Sequence, residues 1–99
     1  MVNKRIIWSA HASRELKQIL EYFNQRNKSS HYSLKLLNEI EYLTNILSKN
    51  ELIGRLTTNK ITLVIPMKVY LILYEIRQDQ IQIVSLWDNR QDISKRQKL

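Results

Sequence analysis

Between Ile61 and Asp88 the chain reads as three apolar runs, Ile61 to Met67, Tyr70 to Arg77 and Gln80 to Asp88, parted by breaks of two residues each. Breaks that short leave no room for a crossover helix, so consecutive runs are expected to pair as antiparallel hairpins. Tyr70, Ile72, Tyr74 and Ile76 alternate with Leu71, Leu73, Glu75 and Arg77, the period of a pleated strand. Because the start of this run is apolar on both faces, it is expected to be the central strand. Gln78-Asp79 supplies the polar turn that follows. Pro66 has no N–H for a ladder, which confines it to a strand end, a bulge or an edge.

The first half has a different period. Lys4 to Trp8 is rich in β-branched and aromatic residues and predicts a short strand, stopped by Ser9, a helix-capping residue. Ala12, Leu16, Ile19, Leu20 and Phe23 then recur at three- and four-residue steps, predicting a helix that ends at about Arg26. Asn24 to Ser30 is polar and turn-forming. Ser29 or Ser30 can cap a second helix carrying Leu36, Leu37, Ile40, Leu43 and Leu47. Two helices this short are marginal alone, and the strands downstream offer the surface that their apolar stripes need. The expected class is therefore α+β: a short N-terminal strand, a two-helix hairpin and a three-stranded antiparallel meander, with the helices on one face of a small sheet. Asn50 to Lys60 breaks the pattern as a loop. In it stands Gly54, the one glycine, free to take positive φ.

With 99 residues the chain fits one domain, 1–99, with a core over about 6–91 and a hydrophilic basic tail, 92–99, that is expected to fray. Sixteen Lys and Arg against nine Asp and Glu give a net charge of +7, which suits an anionic partner. The surplus is spread evenly along the sequence. Absence of cysteine removes thiolate catalysis and cysteine-held zinc, and fits a cytoplasmic protein. Lys4 and Arg5 precede only Ile6, Ile7 and Trp8 before polar Ser9, far short of a signal-peptide core. No apolar stretch approaches the roughly 20 residues that span a bilayer, so no membrane association is expected.

Several residues in this frame match a known pattern: Trp8-Ser9, Ala12, Glu15-Leu16, Ile19 and Tyr22; Gly54-Arg55; Tyr74-Glu75-Ile76; and Ile83 with Trp87-Asp88-Asn89-Arg90. In order and spacing the chain resembles the RelE/ParE superfamily of bacterial toxins from type II toxin–antitoxin systems, over nearly everything from Ile6 to Gln91. The resemblance implies a toxin of a plasmid-stabilisation or stress system, neutralised by a cognate antitoxin. It implies one of two targets: DNA gyrase for ParE-like members, or messenger RNA on the ribosome for RelE-like endonucleases. A relative that has lost its toxicity and only binds would keep the same apolar spacing.

RNA cleavage through the 2′-hydroxyl without a metal needs a base, an acid and cations for the developing phosphorane charge. Arg55, Lys60, Lys68, Arg77 and Arg90 are the candidate cations; any of them also fits a solvated edge charge. RelE-like nucleases place a Tyr or His near the end of the last strand, where this chain has Ser85-Leu86-Trp87-Asp88. His11 and His31 start the two helices and fit surface or capping roles better than catalysis. Tyr70 and Tyr74 share a face with Ile72 and Ile76 and read as core aromatics. Glu15, Glu21, Glu39 and Glu41 read as exposed helix charges, and neither a metal nor another cofactor is expected. The long first helix with Tyr22 resembles ParE-like toxins more than the nucleases. On that reading the working parts are surfaces, with Tyr22, Trp87, Asp88 and Arg90 as partner-binding candidates.

Overall fold

The computed structural model describes residues 4–88. Elements follow in the order β1 (Arg5–Trp8), α1 (Ala10–Asn27), α2 (His31–Lys49), β2 (Arg55–Leu56), β3 (Thr62–Met67), β4 (Tyr70–Ile76) and β5 (Gln80–Asp88). They form one five-stranded sheet in the order β1-β5-β4-β3-β2, with β4 in the middle as its sequence requires. The meander β3-β4-β5 is antiparallel, and β1 closes on β5 in parallel, Arg5 opposite Gln80 and Trp8 opposite Ile83. β2 is a two-residue strand inside the predicted loop, Arg55 opposite Val64 and Leu56 opposite Leu63. It covers only the first half of β3, so Pro66 falls on the uncovered half, where its missing N–H costs nothing.

α1 begins as expected: the Ser9 hydroxyl accepts from the Ala12 amide at 3.0 Å. At the start of α2 it is Ser29, not the cap residue Ser30, whose hydroxyl accepts, from the His31 amide at 3.0 Å. The hairpin between the helices is locked by buried Ser33, whose hydroxyl lies 2.6 Å from Asn24 Oδ1 and 3.2 Å from the Leu20 carbonyl.

The core sits between the helices and one sheet face. Leu36, Ile40 and Leu47 of α2 and Ala12 of α1 pack on Leu63, Met67, Tyr70, Ile72, Tyr74, Ile81, Ile83 and Leu86. Burial is uneven: Ala12 is the one fully buried α1 residue, while Leu16, Ile19, Leu20 and Phe23 are half-covered. Between Leu73 and Tyr74 the register with β5 shifts, from Ser85 to Ile83, leaving Val84 as an extra residue in β5. This bulge is held by Ser9, whose amide donates to the Ile83 carbonyl at 2.9 Å and whose hydroxyl lies 3.3 Å from the Val84 carbonyl.

Gly54 departs from its expected role, because its φ is not positive. Among the described residues the left-handed positions are held by three lysines instead: Lys28 (φ 53°), Lys60 (φ 62°) and Lys68 (φ 58°). Gly54 is required by space, as its neighbour Tyr74 shows below. Among the described residues no helix is long and apolar enough to cross a membrane.

A candidate partner-binding groove and the open sheet face

β1 covers β5 only as far as Ile83, so the far half of β5 lacks a neighbouring strand on that side. α1 takes its place. From α1, Glu15 extends one carboxylate oxygen, Oε1, that accepts from the Ser85 hydroxyl at 2.8 Å and from the Leu86 amide at 2.9 Å. The same oxygen lies 3.3 Å from His11 Nε2, one turn back on the helix. Glu15 thus supplies the acceptor that a sixth strand would have offered. It is half-buried rather than a solvated helix charge, and Glu39, also half-buried, is paired with Lys68. The sequence signal for Glu15 lies in its position: three residues after Ala12 and four before Ile19, it borders the apolar stripe itself.

Beyond Glu15 a groove of about 420 Å³ opens between α1 and the end of β5. Its floor includes Ile19, Phe23 and Leu86, and its rim carries Tyr22, Arg26 and Asp88. Tyr22 is exposed, stands edge-on to Phe23 with ring centres 5.0 Å apart, and its hydroxyl accepts from Arg26 at 3.1 Å. Two of the partner-binding candidates, Tyr22 and Asp88, therefore meet in one groove. Trp87 is on the other face of β5, opposite Leu71, and Arg90 lies outside the described residues.

The sheet face turned from the helices is ordered in rows by strand register. Pro66, Leu71 and Trp87 make one apolar row; Arg55, Val64, Leu73 and Ser85 the next; Thr62, Glu75, Gln82 and Ile7 the third. Arg77 joins the third row, with one guanidinium nitrogen 2.7 Å from Glu75 Oε1 and 2.8 Å from Gln82 Oε1. Lys60 sits in the β2–β3 turn and Lys68 just past the other end of β3, a strand about 17 Å long from Thr62 to Met67 at about 3.3 Å per residue. Lys68 turns to the helix side and pairs with Glu39 of α2. Of the five candidate cations the described structure brings Arg55 and Arg77 to one face and sends Lys68 to the other.

Among the described residues, the β4 tyrosines do not reach the open face. Tyr70 and Tyr74 point into the core. The Tyr74 hydroxyl donates to the Glu51 carbonyl and accepts from the Gly54 amide, both at 2.9 Å. Burial pushes its pKa above the usual phenol value, the Gly54 hydrogen bond opposes this, and the Glu51 charge adds to the rise. Such a phenol keeps its proton at neutral pH and cannot act as a base. Among the described residues no three His, Cys, Asp or Glu side chains are gathered so as to hold a metal ion.

A second groove, about 440 Å³, runs between α2 and the β3–β4 hairpin, lined by Tyr42, Leu43, Pro66, Met67, Lys35 and Lys68. Tyr42 there is 71% exposed, and Leu34, on the same helix, is 57% exposed. The helical hairpin therefore presents an exposed aromatic beside each groove, Tyr22 at the first and Tyr42 at the second.

A family model described as "ParE toxin of type II toxin-antitoxin system, parDE" matches residues 6–93. A solved structure described as the chromosomal ParDE TA system from P. aeruginosa superposes with a TM-score of 0.71, covering 84% of this chain and 92% of that one, at 16% sequence identity. At that identity the likeness speaks for the fold. No curated protein matches the chain. The family model takes in both the helical hairpin and the whole meander, and on that ground the chain belongs to the ParE toxin family of type II toxin–antitoxin systems, a class defined by pairing with an antitoxin.

Proposed function

We propose that the protein arrests growth by binding rather than by cutting, with DNA gyrase as its target, and that its antitoxin covers the apolar surface of the helical hairpin. The observation that carries this reading is that several of the side chains RNA cleavage would need are engaged or buried. Lys68 is paired with Glu39 on the helix side, Arg77 is tied to Glu75 and Gln82, and the β4 tyrosines are buried. A cation already bound to a carboxylate stabilises a developing phosphorane poorly. By contrast the exposed Tyr22, Tyr42 and Leu34 and the two grooves have the composition of a protein-docking surface, aromatic and apolar with charged rims.

The test is pulse-labelling of bacteria in the first minutes after induction, following DNA and protein synthesis separately. The gyrase reading expects DNA synthesis to fall first and the purified chain to inhibit gyrase supercoiling. If translation stops first, and Arg55→Ala with Arg77→Ala relieves it, the protein is a RelE-like messenger RNA endonuclease. If the folded chain stops neither, it is an inactive relative that only binds.

A further inference from the structure

We propose that the chain's own C-terminal segment lies across the sheet face turned from the helices, with Ile93 seated over Leu73 and Val64, and so closes the face on which Arg55 and Arg77 stand. This placement is independent of the target that the toxin acts on.

Two side chains on that face are buried without a visible cover. Val64 of β3 and Leu73 of β4 sit opposite each other in the ladder, 3% and 5% exposed. Both point away from the helices, and neither belongs to the cluster that the helices cover. Their described neighbours on that face make a poor lid, since Arg55 and Pro66 are exposed and Thr62 and Ser85 are small. The solvated face of an antiparallel sheet ordinarily leaves such a pair partly open to water. The burial exists within a single chain, so a partner molecule is not its cause. Among the described residues no helix or strand crosses this face, which leaves the two ends of the chain. Residues 1–3 reach only about 10 Å when extended. They also lead into Lys4, whose amide donates to the Ser48 carbonyl of α2 on the helix side.

The C-terminal end fits in both reach and chemistry. The described chain ends at Asp88, one residue past Trp87, which stands on the face in question opposite Leu71. Val64 is two strands over from β5 and level with Ser85, three residues before Asp88. The separation is roughly 14 Å in the sheet plane, at about 4.8 Å per strand and 3.3 Å per residue. Residues 89–93, fully extended, reach about 17 Å, enough to bring position 93 over Leu73 and Val64. That position is Ile93, the one large apolar side chain between Asp88 and Leu99. The match to the toxin family also runs past the last described strand and stops at residue 93. An RNA strand could lie along this face only after displacing the segment.

The test is solution NMR of the full chain with labelled methyl groups, together with thermal unfolding of wild type and Ile93→Ser. Nuclear Overhauser contacts are expected from the Val64 and Leu73 methyls to the Ile93 side chain within one molecule. Ile93→Ser is expected to unfold about 4–8 °C lower than wild type. Methyls that meet only Arg55, Leu71 and Trp87 overturn the proposal, because the sheet's own side chains then close over the pair. So do contacts that form only between molecules in a mixture of labelled and unlabelled protein, which make a second copy the cover. An Ile93→Ser variant that unfolds with wild type overturns it as well. Each readout concerns the folded chain alone, so the outcome stands whether or not the protein arrests growth.

Discussion

The Gly54 amide donates to the Tyr74 hydroxyl at 2.9 Å, and a Cβ built on Gly54 would lie 2.5 Å from that oxygen and 2.8 Å from ring carbon Cε1. The Tyr74 ring is completely buried and cannot swing away. Glycine is therefore needed at 54 for close approach, not for left-handed backbone. Gly54→Ala is expected to cost about 1–3 kcal/mol, the range for overpacking a filled site. Tyr74→Phe removes the partner of two loop backbone groups and is expected to cost about 1–3 kcal/mol. Because Tyr74→Phe also removes the atom nearest the new methyl, the double variant should lose less than the sum of the single losses. Denaturant unfolding of the four proteins measures this coupling, and strict additivity would refute it.

The same hydroxyl sets a pH dependence. Its folded-state pKa is raised, so the unfolded chain, titrating near the ordinary value of about 10, ionises first. The stabilising contribution is complete below that pH and is lost as pH rises towards the folded value. Wild type should therefore fall towards Tyr74→Phe in stability above about pH 10. Unfolding curves of the two proteins between neutral and alkaline pH measure the difference, and a constant gap would refute it.

Much of this fold is legible in the sequence because its signals are local and periodic. The two-residue breaks at Lys68-Val69 and Gln78-Asp79 permit only hairpins, and the capping serines mark the helix starts. The parallel closure of β1 on β5 joins residues more than seventy positions apart and has no local signature. β2 escapes for the opposite reason, since two residues are too few to show alternation. At the candidate site Tyr22 and Asp88 converge although nothing in their spacing says so, because the Val84 bulge and α1 together create the groove. In sequence Glu15 reads as a solvated charge because its partners, Ser85 and Leu86, lie about seventy residues away.

Lys28 occupies the left-handed position just after α1, with φ 53° and ψ 36°, where helices usually place glycine. A side chain there costs roughly 1–2 kcal/mol, and the extra freedom of glycine in the unfolded chain returns about 0.4–1 kcal/mol of that. Lys28→Gly should therefore stabilise the protein by about 0.5–1 kcal/mol. Lys68→Gly relieves the same strain but removes the ion pair with Glu39, a surface contact worth about 0–1 kcal/mol, so its net gain should be smaller. Thermal unfolding of both variants checks the ranking, and a destabilised Lys28→Gly would contradict it.

Asn59 caps the β2–β3 turn from its side chain, beside backbone bonds from the Thr57 amide to the Thr62 carbonyl at 2.9 Å and from the Lys60 amide to the Thr57 carbonyl at 3.0 Å. Its Oδ1 accepts from the Ile61 and Thr62 amides, both at 2.8 Å, and from the Thr57 hydroxyl at 3.0 Å. Its Nδ2 donates to Thr62 Oγ1 at 2.9 Å, and that hydroxyl in turn lies 3.3 Å from Glu75 Oε2. The chain of contacts runs from the turn that carries Lys60 to the carboxylate that holds Arg77. Asn59→Ala should cost about 1–3 kcal/mol by leaving several donors without an acceptor. Asn59→Asp keeps the acceptor but replaces the donor to Thr62 Oγ1 with a carboxylate oxygen near Glu75, so it should cost less than Asn59→Ala without being neutral. Chemical shifts of Arg77 report the remote effect: they should move in Asn59→Ala if the turn positions Glu75. Shifts confined to residues 57–62 would show that the Arg77 pairing is independent of the turn.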